Sequence, residues 1–214
     1  MNAALSMKIL ALEFSSSQRG VAVTEGNSVL GTVATDNLKT SPLSLINKAL
    51  QKARLDRATI EVIALGIGPG SYTGIRSAIA TAQGWQLARN IDLLPIPSDE
   101  ILAANAAANG QRGETHFIID AQRHEYYHTT WNLTEDNQSK TTPLHIITVT
   151  AAAELKAFGP DSAGLPSCES LFPDAAILAQ LAAGRTDFQP GEIIEPIYLR
   201  PIEFTKAPPL RQLD

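Results

Sequence analysis

Chemically suggestive spacing in this chain concentrates in Gly66-Ile67-Gly68-Pro69-Gly70-Ser71-Tyr72-Thr73-Gly74-Ile75-Arg76. Glycines let the backbone turn with positive φ and come close to other atoms. N–H groups at a helix start favour anions or a partner's acceptors. The spacing excludes the two common phosphate cradles. A P-loop has four residues between its glycines and then Lys-Ser/Thr, whereas five separate Gly68 from Gly74 and Ile75-Arg76 follows. A dinucleotide turn needs Gly-x-Gly-x-x-Gly, and Gly68, Gly70 and Gly74 leave one residue too many. Arg76, beside this helix start, either neutralises an anion or a partner's carboxylate, or is solvated or paired locally.

Other candidates are thinner. Asp120 and Glu125 flank a hairpin turn, where they form an acid pair or cap the turn. His124 and His128 have the i, i+4 spacing of a helical metal site, but Tyr126-Tyr127-His128-Thr129-Thr130-Trp131 reads as a strand. Four residues of strand span ~13 Å, too far for one ion. His116 and His145 stand alone in the sequence, so no metal is expected. Cys168 is a lone thiol, which excludes an intrachain disulfide and is compatible with a reducing cytosol. No Gly-x-Ser-x-Gly elbow occurs, and peptidase chemistry has neither nucleophile nor metal set. Catalytic residues are therefore expected to be absent.

The elements that position these residues follow from periodicity and punctuation. Lys8–Phe14, Gly20–Thr24 and Val29–Thr35 read as three antiparallel strands, separated by Ser15-Ser16-Ser17-Gln18-Arg19-Gly20 and Glu25-Gly26-Asn27-Ser28. Ser41-Pro42 starts a helix that runs to Arg54. Val62–Gly66 is a fourth strand, Gly74–Arg89 a second helix, and Asp92–Pro95 a fifth strand. Ser98–Asn109 is a helix with Asp99 and Glu100 in its first turn, and Gly110–Gly113 marks a boundary between lobes 1–109 and 110–214. Beyond it, His116–Asp120 and Glu125–Trp131 are strands, Leu133–Thr142 a polar loop and Leu144–Thr148 a short strand. Thr150–Phe158 and Pro173–Ala183 are helices, Glu192–Leu199 the last strand, and Ala207-Pro208-Pro209 begins a tail. The pattern gives an α/β protein with mixed sheets and helices.

Bulk properties narrow the function. At 214 residues with 44% hydrophobic and 18% charged residues, the chain carries a real core. A net charge of −5 and a pI near 5.4 leave no basic footprint for nucleic acid, so a role on RNA needs a basic partner. No apolar run approaches the ~18 residues of a membrane span. Residues 1–6 lack the features of a signal peptide and read as a short leader before Met7-Lys8. A cytoplasmic protein is expected.

The second helix is unusual. Ile75, Ala78, Ile79, Ala82 and Trp85 share a face that suits burial on a sheet. The other side offers Ser77, Ala80, Thr81, Gly84 and Ala88, and Arg76 is its single charge before Arg89. A solvated helix side carries several charges, so this one is covered, either by the Ser41–Arg54 helix of the same chain or in part by a partner's helices.

Together, Lys8-Ile9-Leu10-Ala11-Leu12-Glu13-Phe14-Ser15-Ser16, Gly68-Pro69-Gly70-Ser71-Tyr72-Thr73-Gly74-Ile75-Arg76, Ile119-Asp120-Ala121-Gln122-Arg123-His124-Glu125-Tyr126-Tyr127 and Glu195-Pro196-Ile197-Tyr198-Leu199-Arg200 resemble, in order and spacing across residues 7–206, the TsaB (YeaZ) family. The family's signature has Phe where this chain has Tyr72. The resemblance implies an actin/Hsp70-like (ASKHA) fold of two lobes, with the second lobe trimmed. It implies a non-catalytic dimerisation or activating subunit of the machinery that makes N6-threonylcarbamoyladenosine (t6A) at position 37 of tRNA. The implied partners are the catalytic paralogue TsaD and the ATPase TsaE, with a homodimer when alone and tRNA reached only through the complex. Docking in that family uses the first lobe's two helices, here Leu45, Ala49, Ser77, Ala80, Thr81, Gly84 and Ala88, beside the signature turn Gly68, Gly70, Ser71, Thr73, Gly74 and Arg76. Glu13, Ser15 and Ser16 correspond to a vestigial nucleotide site. The family usually carries Asp at the place of Glu13, and serines fill a turn where actin-like ATPases keep glycine. No cofactor is expected, and the catalytic paralogue's histidine pair is replaced here by Pro97-Ser98-Asp99-Glu100-Ile101-Leu102. The competing reading is a stand-alone actin-like small-molecule kinase or ATPase.

Overall fold

A computed structural model describes residues 7–160, 162 and 164–199. The leader at residues 1–6, Arg200 of the closing motif and the Ala207-Pro208-Pro209 tail lie outside the described residues.

The first sheet has the order β3-β2-β1-β4-β5, built from β1 (Lys8–Glu13), β2 (Arg19–Glu25), β3 (Ser28–Thr35), β4 (Val62–Gly66) and β5 (Asp92–Ile96). The opening meander is antiparallel, whereas β1/β4 and β4/β5 run parallel. β1 is the central strand, and its continuous apolar run follows from burial on both faces. Leu10 and Leu12 point into a core with α1 (Pro42–Ala53) and α2 (Tyr72–Arg89). Ile9 and Ala11 point the other way, against α5 (Ala175–Ala182) and Ile101 of α3 (Ser98–Ala108). Thus α5, late in the chain, returns to the first sheet. Two five-stranded sheets with flanking helices give the α/β class expected from the sequence.

The second sheet has the order β10-β9-β6-β7-β8: β6 (Gly113–Asp120), β7 (Glu125–Leu133), β8 (Gln138–Thr148), β9 (Ala157–Gly159) and β10 (Glu169–Ser170). One face carries Phe117, Ile119, Tyr127, Trp131 and Leu133 against α3. The other carries Ile118 under α4 (Val149–Ala153), with Ala157 and Leu165. Asp99, fully buried in the first turn of α3, ion-pairs with Lys140 of β8 at 2.8 Å and so ties that helix to the sheet edge.

Three expectations fail here. The polar stretch before Leu144 is not a loop: β8 runs from Gln138 to Thr148 because β7 supplies a ladder for its Ser and Thr backbone, with register irregularities that leave Thr141, Pro143 and Leu144 out of the pairing. Pro143 is accommodated because an edge strand has N–H groups with no neighbour to reach. The helix placed at Thr150–Phe158 stops at Ala153, and Ala157–Gly159 becomes β9, parallel to β6. Gly159 is needed there, since a Cβ would lie 1.9 Å from the Ile118 carbonyl oxygen. Finally, Glu192–Leu199 forms no strand. Gly191–Ile193 is a 3-10 turn, and Ile197 N–H donates a single bond to the Ile67 carbonyl at 2.9 Å. Pro190 and Pro196 each remove the donor that a ladder requires.

Candidate functional site

The glycine signature is a packing device before it is anything else. Ser71 N–H donates to the Ser15 carbonyl at 2.6 Å, which lays the turn directly on the end of β1. Gly70, at φ +145°, and Gly74 make that approach possible. A Cβ would sit 2.1 Å from the Ser15 carbonyl oxygen at Gly70, and 1.9 Å from the Phe14 carbonyl oxygen at Gly74. Gly68 N–H donates to the Ser98 hydroxyl, and the Ser71 hydroxyl accepts from Gly74 N–H as the N-cap of α2. These donors are therefore engaged within the chain, and Thr73 lies exposed beside them. Ser71→Ala is expected to lower stability by about 1 kcal/mol, the usual worth of a serine N-cap, as read by urea unfolding at neutral pH.

Glu13 ends β1 with its side chain buried over Gly66, where a Cβ would lie 1.8 Å from Glu13 Oε2. Its Oε1 accepts from Ser15 N–H at 2.7 Å, while Oε2 has no partner. Desolvation pushes the carboxyl up to about 7, against the hydrogen bonds from Ser15 that pull it down. Ser15 and Ser16 are also buried, and the Ser16 hydroxyl donates to the Gln18 carbonyl. A cleft of about 470 Å³ opens beside them, lined by Ser15, Ser16, Ser17, Gly70, Ser71, Tyr72, Thr73, Asp120, Gln122 and Tyr127. Glu13 does not line it. The acid that the actin-like pattern would aim at phosphate instead points into the protein.

An apolar groove of about 700 Å³ lies between α1 and α2. Ser77, Ala80, Thr81, Gly84, Trp85 and Ala88 form one wall, and Pro42, Leu43, Ile46 and Asn47 the other. No Asp or Glu lines it, and Arg57 and Arg89 close one end. Arg89 is held there by donating to the carbonyls of Arg57 and Ala58 at 3.0 and 2.7 Å. Leu43 is largely exposed at the rim, and Leu87 of α2, outside the groove lining, is 90% exposed. Gly84 has nothing within 4 Å of where a Cβ would stand. Of the residues the sequence put forward, Ser77, Ala80, Thr81, Gly84 and Ala88 come together in this groove. Leu45 and Ala49 do not: they face the first sheet and are buried in its core. Residues 42, 43, 46 and 47 hold the groove side of α1, and a one-residue offset on the helical wheel separates the two sets.

The remaining candidates resolve into local structure. Arg76 is paired locally, its guanidinium stacked 4.0 Å over the Tyr72 ring, which in turn stacks on Tyr198 at 5.6 Å. Asp120 accepts from Gln122 N–H at 2.7 Å and so caps the hairpin turn. Cys168 lies half-buried, its Sγ 3.7 Å from the Leu155 carbonyl. His124, exposed on the hairpin, is not near His128 in any metal-like sense. His128 instead meets His116 and His145, the two residues that stand alone in the sequence. Burial, with His145 and His116 alongside, pushes the His128 imidazole down to about 4, so the ring is neutral at pH 7. Strand register brings the three rings together, and nothing in the one-dimensional spacing signals it. Among the described residues no helix is long and apolar enough to cross a membrane.

Comparison with known proteins matches residues 10–174 to the family model described as TsaD: tRNA N6-adenosine threonylcarbamoyltransferase. An uncharacterized protein of Mycobacterium leprae is 30% identical over 138 residues, covering 60% of this chain and 35% of that protein. The tRNA threonylcarbamoyladenosine biosynthesis protein TsaB of Haemophilus influenzae is 31% identical over 85 residues, covering 40% of this chain and 36% of that one. The chain thus matches little more than a third of the length of these curated relatives. The solved structure of YeaZ from Pseudomonas aeruginosa superposes with a TM-score of 0.79 at 24% identity, covering 90% of this chain and all of that one. The family match spans most of the chain, so this protein belongs to the TsaD-type tRNA N6-adenosine threonylcarbamoyltransferase family, and its fold is that of the YeaZ structure.

Proposed function

We propose that this chain is a non-catalytic activating subunit in the synthesis of t6A at position 37 of tRNA. It docks a TsaD-like catalytic subunit through the α1/α2 groove, with a TsaE-like ATPase joining the assembly, and pairs with itself through the same surface when alone. The observation that carries the reading is the groove itself. It is an uncovered, apolar channel between two helices of the chain, walled by small residues and rimmed by exposed Leu43. Small side chains let a partner's backbone approach closely, and the missing carboxylates remove the desolvation cost that charged walls would impose. Arg57 and Arg89 at one end call for an acidic group on the partner. The inward-turned Glu13 supports a non-catalytic role, since the cleft lacks that carboxylate. The net charge of −5 supports tRNA contact through other subunits, in a cytoplasmic complex.

The test is threonylcarbamoylation of tRNA by the organism's own TsaD-like protein, reconstituted with and without this chain. Modification is expected to depend on the chain, and the two proteins to co-elute on gel filtration. Full activity in its absence overturns the reading. Heat released when ATP is titrated into the pure chain, with turnover lost in Glu13→Gln, would instead establish the kinase or ATPase alternative.

A further inference from the structure

The outer face of the second sheet carries a row of imidazoles across β6, β7 and β8. His128 and His145 are direct cross-strand partners, and on the other side His116, opposite Thr130, lies two residues from Ile118, the partner of His128. His128 Nε2 lies 3.1 Å from His116 Nδ1, and His128 Nδ1 lies 3.4 Å from His145 Nε2. The row ends on the Pro143 carbonyl, 2.9 Å from His145 Nδ1. That carbonyl only accepts, so His145 Nδ1 carries the proton and its Nε2 accepts from His128 Nδ1–H. The tautomers are thereby fixed in sequence, and the lone pair of His128 Nε2 faces His116.

We propose that the gap between His116 Nδ1 and His128 Nε2 binds a divalent late first-row transition ion, with zinc as the simplest case. Two imidazole nitrogens on such an ion, each at ~2.0–2.1 Å, stand ~2.9 Å apart at a right angle and ~3.3 Å apart at the tetrahedral angle. The observed 3.1 Å falls between these values. Binding moves the His116 proton from Nδ1 to Nε2, so both facing nitrogens offer lone pairs and no proton is lost. The Thr130 hydroxyl, 3.1 Å from His116 Nδ1, is placed to ligate or to hold a bound water. The bond from His128 Nδ1–H to His145, passed on to Pro143, is the outer hydrogen bond that orients metal-bound histidines and raises their basicity. No three His, Cys, Asp or Glu groups among the described residues converge on one point. The ion is therefore held by two nitrogens with oxygen completing its shell, a donor set that favours zinc, nickel or copper over magnesium or calcium. His116 is half-buried and His145 exposed, so the site opens to solvent.

Zinc chloride titrated calorimetrically into the full chain is expected to bind one ion per chain. His116→Ala weakens binding more than about tenfold, and His145→Ala, which removes only the outer hydrogen bond, weakens it by about 10- to 100-fold. His124→Ala leaves it unchanged. Imidazole nitrogen shifts in the NMR spectrum are expected to move at His116 and His128. Absence of one-to-one binding, or binding that survives His116→Ala in a variant whose thermal unfolding matches the parent, overturns the assignment.

Discussion

Gly84→Arg is expected to abolish association with the TsaD-like partner, by at least about 100-fold, while the isolated chain stays folded. Two observations set these effects apart. A side chain at position 84 meets no atom of its own protein within 4 Å of the Cβ, so the fold accommodates it. The same side chain fills the groove where α1 and α2 diverge, and brings an unpaired guanidinium into an apolar contact that already has Arg57 and Arg89 at one end. Glycine within a helix also costs about 0.5–1 kcal/mol relative to alanine. Gly84→Ala should therefore raise the melting temperature of the isolated chain while leaving association intact or modestly weakened. Paired gel filtration and thermal melts separate the outcomes. A Gly84→Arg chain that still co-elutes with its partner removes the groove from the interface.

Glu13→Gln is expected to stabilise the chain at pH 8 by on the order of 3 kcal/mol, and to make little difference near pH 4. The carboxyl is buried, and its pKa is raised from 4.5 to about 7 by desolvation. The folded state thus holds the proton more tightly than the unfolded state. Its stabilising contribution is complete below pH 4.5 and is lost as pH rises through about 7, when an ion must be kept in the core. The amide keeps an oxygen for Ser15 N–H and carries no charge to desolvate. His128, with its depressed pKa, contributes the opposite slope, but equally in both proteins. Urea unfolding at pH 4.5, 6 and 8 measures the difference. A gap that stays constant across this range would mean that folding leaves the Glu13 pKa unshifted.

The strands and helices of the first lobe were legible because their signals are local. β1 is an apolar run closed by serines, α1 opens with Ser41 and Pro42, and α2 follows a glycine turn. The second lobe was harder to read because its signals are partners. β8 is polar and contains Pro143, and becomes a strand because β7 pairs with it. β9 takes residues with helical neighbours because β6 offers a parallel ladder. The helical wheel of α2 identified the groove wall, but on α1 the resemblance pointed to Leu45 and Ala49, which face the sheet. Apolar content does not distinguish a side buried by its own chain from one left for another.

From sequence alone came the α/β class, the glycine turn, the uncharged flank of α2 and the family to which the chain belongs, since each is written in neighbouring residues. Tertiary structure decided that Glu13 faces inward, that the glycines seat one backbone on another, and that His116, His128 and His145 form a row. These depend on register and on which chain segment arrives opposite. A linear order does not encode them residue by residue, because burial and hydrogen bonding are properties of pairs.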